Sequence, residues 1–125
     1  MKPQAGSLVI SEMQVVTKAT TTAADLLGLD TCTLACVMGV SETAICRMRC
    51  LDHLLEKGSE PLERSLMLIR LFRRVNAMTA GDPASVRSWL RDHDETLGCI
   101  PAQKILTAEG LAAVLAHLEA HTAPS

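Results

Sequence analysis

The stretch Leu34-Ala35-Cys36-Val37-Met38-Gly39-Val40-Ser41-Glu42-Thr43-Ala44-Ile45-Cys46-Arg47-Met48 decides the fold. It reads as two short helices folded over a turn. Ala35 is the small residue needed where a second helix crosses closely. Gly39, four residues on, supplies the positive φ of the turn at little cost. Leu34, Met38, Val40, Ile45 and Met48 fall at offsets that lock the two helices together, and Ser41 is a natural N-cap. This is the pattern of a helix-turn-helix, which a plain helical hairpin closed by a glycine turn shares. If the unit reads duplex DNA, the outward side chains of its second helix do so: Ser41, Glu42, Thr43, Cys46, Arg47 and Arg49. Ser and Thr reach phosphates or base edges, Arg pairs bidentately with guanine, and Glu accepts from cytosine. Cations nearby are few, so operator affinity would rest on a dimer, or on Arg64, Arg70, Arg73 or Arg74 further along.

Working outward, Val15 to Leu29 reads as a preceding helix, although Thr17, Thr20, Thr21 and Thr22 lower its propensity. Gly58-Ser59-Glu60-Pro61 stops one helix and starts another, with Pro61 in the first turn. Leu62 to Met78 is then apolar over most of its girth. A helix of that kind is buried on several sides, which points to a subunit interface as well as an internal core. Leu62, Leu66, Ile69, Phe72 and Arg73 are the candidate dimer contacts. Asp82-Pro83 opens the next helix, which carries Trp89 and Leu90 and runs into Asp92-His93-Asp94-Glu95, expected to be a solvated connection. Gly98 and Pro101 mark an irregular link. Thr107 caps a last helix with Glu109 in its first turn, where the macrodipole favours a negative charge. Leu111, Val114, Leu115 and Leu118 form that helix's apolar face. The expected fold is all-α: a helix-turn-helix domain over 1–60, then a long central helix and a small helical lobe over 61–125.

Composition excludes several classes. With 125 residues, 48% hydrophobic and 21% charged, the chain can bury a core and is not intrinsically disordered. No apolar run approaches the roughly 18 residues that span a bilayer, and no secretory leader is read, so a cytoplasmic protein with no membrane partner is expected. An odd count of five cysteines fits reduced thiols. Aromatic residues at 2% disfavour single-strand nucleic-acid binding, which stacks bases on rings.

The net charge of −2 hides an uneven distribution: residues 64–91 carry six Arg against one acid, net +5, and residues 92–125 one Lys against five acids, net −4. Cys32, Cys36, Cys46 and Cys50 sit in pairs one helical turn apart, but structural zinc sites use tighter loop spacings, so no metal is expected. His117 and His121 lack the glutamate of an H-E-x-x-H zinc helix. No phosphate loop, dinucleotide fingerprint or nucleophile elbow is present, so neither an enzyme nor a cofactor is expected.

Two blocks of the chain together resemble the Xre/MbcA/ParS antitoxin family. One is the helix-turn-helix followed by Leu66-Met67-Leu68-Ile69-Arg70-Leu71-Phe72-Arg73. The other is Trp89-Leu90, Leu97-Gly98-Cys99-Ile100-Pro101, Ile105-Leu106-Thr107-Ala108-Glu109-Gly110-Leu111, Val114 and Leu118. The family's second glycine of the link is Cys99 here. The resemblance spans about residues 20–120. It implies a type II antitoxin that pairs through its central helix, blocks a NAD-consuming RES-domain toxin and represses its own operator. It implies toxin contacts at Trp89, Leu97, Gly98, Pro101, Thr107, Glu109, Gly110, Leu111 and Leu118, although for Trp89 the residue type favours the core anchor of the C-terminal lobe instead. The alternative function is a stand-alone dimeric helix-turn-helix repressor. Truncation after Gly110 is expected to abolish inhibition while leaving a folded dimer.

Overall fold

The computed structural model describes the backbone of residues 5–50 and 55–122, and within these the side chains of 12–50 and 55–120. Every regular element among them is a helix: α1 (Ala5–Leu27), α2 (Thr31–Met38), α3 (Glu42–Arg49), α4 (Glu60–Met78), α5 (Pro83–Arg91), α6 (Pro101–Lys104) and α7 (Ala108–Thr122). No helix among the described residues is long and apolar enough to cross a membrane.

Helix α1 starts ten residues ahead of the expected Val15. Met13 begins a buried stripe that Thr17, Thr20, Ala24 and Leu27 continue at helical spacing. Three of the threonines that lower the propensity, Thr17, Thr20 and Thr21, are therefore core residues with satisfied hydroxyls, while Thr22 is exposed. Thr20 donates to the Val16 carbonyl at 2.8 Å and Thr21 to that of Lys18 at 3.1 Å. Thr17 accepts the buried Leu55 amide at 3.3 Å, tying the approach to α4 onto α1. Propensity lost locally is outweighed by burial and by hydrogen bonds that leave no orphaned hydroxyl.

The α2–α3 pair forms as its sequence requires. Asp30 caps α2 by accepting the Thr33 amide at 2.7 Å, and that hydrogen bond holds its carboxyl below the usual range. Gly39 ends the helix at φ 73° and returns its N–H to Ala35. Ser41 caps α3 through the Ala44 amide at 3.1 Å. Leu34, Met38, Ile45 and Met48 are fully buried, and Ala35 is 6% exposed.

Ser59 caps α4, with Pro61 in its first turn. Helices α1 and α7 pack along two sides of α4. Arg64 reaches from α4 over the α2–α3 turn, where a Cβ on Gly39 would lie 2.5 Å from its Nη1. Its neighbour Ser65 donates to the Met38 sulfur at 3.7 Å. A single buried cluster runs from Met13 to Leu118, so the segments on either side of residue 60 share one core.

Of the candidate dimer contacts, Leu62 lies inside this core at 8% exposure, whereas Leu66 is 44% exposed. Ile69 and Phe72 are half-buried and Arg73 is exposed. Ile69, Phe72 and Arg73 line an open, mainly apolar groove of about 430 Å³ against Val15, Ala19 and Leu26 of α1.

Candidate functional site

The outer side of α3 is built by a short helix that buries only Ile45 and Met48. Ser41, Glu42, Thr43, Cys46 and Arg47 all face solvent. Ser41 already uses its hydroxyl as the cap. Arg49 turns back to α1, where its Nη1 contacts both carboxylate oxygens of Asp25 at 2.8 and 3.0 Å. Thr43, Cys46 and Arg47 are the outward groups with the fewest structural duties.

The cysteines at 32, 36, 46 and 50 are exposed on α2 and at α3. No group of three His, Cys, Asp or Glu gathers among the described residues in a way that could hold a metal ion. The Glu42 carboxylate is the first of several groups, Cys36 next, that push the Cys32 thiol up, away from the reactive thiolate.

The second candidate region is the block from α5 to α7. Asp82 caps α5, accepting the Ser85 hydroxyl at 2.5 Å and the Ser85 amide at 3.2 Å, which together lower its pKa. In the last turn of the helix, Trp89 is half-buried and donates its indole N–H to Asp94 Oδ2 at 3.1 Å. Asp94 Oδ1 accepts the Thr96 hydroxyl at 2.6 Å, the Thr96 amide at 2.9 Å and the Leu97 amide at 3.0 Å. These donors favour the ionised form, so the Asp94 carboxyl titrates below its ordinary value, with the Thr96 hydroxyl the largest cause and the Leu97 amide next.

The backbone closes the same loop. Asp94 N–H donates to the Cys99 carbonyl at 3.0 Å, and Gly98 N–H to the Asp94 carbonyl at 2.7 Å. Gly98 turns the chain at φ 79°. From α7, the His117 ring Nε2 lies 3.3 Å from the Thr96 hydroxyl. The polar run expected to be a solvated connection is thus, at Asp94, the hub of a folded loop. An Asp followed two residues on by Thr, between an aromatic residue and a glycine, is the turn signal that would have found it.

The Thr-x-x-Gly segment shows the same economy. Thr107 caps α7 by accepting the Gly110 amide at 3.0 Å. A Cβ at Gly110 would fall 1.7 Å from the Lys104 carbonyl oxygen, so α6 and α7 meet only because that residue is glycine. Leu111 and Val114 are fully buried, and Leu115 and Leu118 are 4% and 2% exposed. Removing α7 would therefore open the core, and truncation after Gly110 takes away part of the fold instead of leaving it intact.

Of the nine residues implied as toxin contacts, Pro101, Gly110, Leu111 and Leu118 are inside, Trp89 and Leu97 are half-buried, and Gly98, Thr107 and Glu109 reach the surface. The carboxylates of Asp92 and Glu95 are exposed beside them in the chain. No protein-family profile matches this chain, and no curated protein is significantly similar to it.

Proposed function

We propose that this chain is a cytoplasmic antitoxin. In this reading its C-terminal block binds and blocks a NAD-consuming RES-domain toxin, its α1–α4 groove pairs with a second copy, and α3 engages its own operator. One observation carries the reading. The motif residues behind the resemblance form a connected unit in which several identities are required: the Trp89 indole on Asp94, the positive φ at Gly98, and the Cβ-free approach at Gly110. This unit exposes the carboxylates of Asp92, Glu95 and Glu109 alongside Arg87, Arg91 and Lys104, and residues 92–125 carry a net charge of −4. A pocket that binds anionic NAD is basic, and an acidic plug complements it in association rate and specificity.

The test is co-expression with the product of the adjacent reading frame. The neighbour should be lethal alone, harmless with this chain, and recovered with it in a pull-down. The E95K/E109K double variant should weaken that complex most at low salt. A harmless neighbour and an empty pull-down overturn the reading.

The exposed Thr43, Cys46 and Arg47 on α3 favour a second reading, a stand-alone repressor. Salt-dependent binding to its own promoter without any companion polypeptide would select it. A dimer would then need half-sites roughly 34 Å apart.

A further inference from the structure

The cleft between α4 and α7 shares Arg73 with the apolar groove and is otherwise distinct from the surfaces above. Arg70, Arg73 and Arg74 line it, with Ala77 as its small wall and Glu119 from α7; its volume is about 360 Å³. Their spacing of three and four residues puts three guanidinium groups on one side of a helix. Like charges so placed repel and weaken the helix by a few tenths of a kcal/mol per pair. The helix dipole does not account for them, because no basic residue stands in the last turn of α4. One counter-charge is present: Glu119 Oε2 takes Arg70 Nη2 at 2.5 Å. Neither Arg73 nor Arg74 meets a carboxylate among the described residues. Among the described residues the cleft therefore holds two adjacent cations that meet no carboxylate, the second half-buried.

We propose that this cleft binds a phosphate group. Two guanidinium forks present several N–H donors in fixed planes, which suits an anion with three or four acceptor oxygens and nearly two charges. A carboxylate carries one charge, and Glu119 already places one on Arg70. A bound phosphate would lie across Arg73 and Arg74, and Glu119 would compete with it for Arg70. The phosphate arrives either free, as inorganic phosphate or on a small molecule, or in a nucleic-acid backbone, whose diesters carry one charge and two free oxygens each but present them in a closely spaced row.

Full-length protein is titrated with inorganic phosphate at constant ionic strength, with chloride as the control, following the arginine Nε–H signals by NMR. A second titration uses a short DNA duplex, and a third a polyglutamate peptide. Saturable shifts with phosphate are expected, weakened about tenfold in R73Q and in R74Q. They should tighten in E119Q, which frees Arg70, a change that a merely structural arginine cluster would not give. If the backbone of nucleic acid is the source, the duplex binds and its salt slope falls by roughly one in each arginine variant. Absence of phosphate and duplex binding overturns the proposal, as does binding unchanged in R73Q and R74Q, or polyglutamate binding without phosphate. R73Q replaces an exposed side chain, so it keeps the test valid should R74Q fail to fold.

Discussion

The outer side of α3 and the block from α5 to α7 both carry a motif, yet they use their motif residues in opposite ways. On α3 the scaffold takes Ile45, Met48, the Ser41 cap and Arg49, and leaves Thr43, Cys46 and Arg47 facing solvent. In the α5–α7 block most motif residues are consumed in building the unit itself. A pattern of fixed residue types can thus mark a surface in one place and the frame beneath a surface in another. Contacts to a partner should be sought, in the second case, beside the motif and not on it.

The largest effect that can break this contrast is at Gly110. G110A forces a Cβ into the Lys104 carbonyl, and should cost about 3 kcal/mol in chemical denaturation, near the upper end for overpacking. T43A on α3 should stay within about 0.5 kcal/mol. Equal denaturation midpoints for the two would remove the distinction.

Next comes the turn. G39A must hold φ 73° with a side chain and displace Arg64 Nη1, costing roughly 1–2 kcal/mol. The G39A/R64A pair should be non-additive in a double-mutant cycle, since only the first substitution meets the guanidinium.

A smaller effect is expected at Asp94. D94N weakens the charge-assisted bonds to Trp89, Thr96 and Leu97, costing about 1 kcal/mol, and should shift the Trp89 fluorescence. Because the folded pKa lies below the unfolded value of about 3.9, this carboxylate's stabilisation is complete above that pH. It is lost as pH falls through the folded value. Asp30 and Asp82, lowered likewise by cap hydrogen bonds, act in the same acid window. The Trp89 signal should therefore move in acid in the parent protein and less so in D94N.

The smallest effect on stability sharpens the other side. R47Q should leave the melting behaviour unchanged while reducing the salt slope of duplex binding by about one. A destabilised R47Q would place this arginine in the frame with the C-terminal motif.

Much of the fold was legible because its signals are local. Ser41, Ser59 and Asp82 are caps whose hydrogen bonds lie within three residues. Gly39 is a turn residue by its φ alone. What escaped the sequence depends on residues far apart in the chain. The start of α1 was hidden because residues 5–14 include Gly6, Ser7 and Ser11, weak helix formers, and no local signal shows that Thr17 serves Leu55, 38 residues away. Leu62 read as an interface residue because its apolar character says nothing about whether the cover is the chain's own core or a second copy. Asp94 is the exception, since its donors Trp89, Thr96 and Leu97 lie within five residues and its local turn signal was passed over among acids that look alike.

Arg64 and Ser65 touch the α2–α3 turn from adjacent positions on α4, one over Gly39 and the other on Met38. The end of α2 and its turn are consequently held by a helix that also borders the apolar groove and the arginine cleft. Any ligand or second subunit that rolls α4 by a few degrees would shift the turn that leads into α3, as a key turns a tumbler. Occupancy at one end of the molecule would be felt at the other without either site changing its own residues.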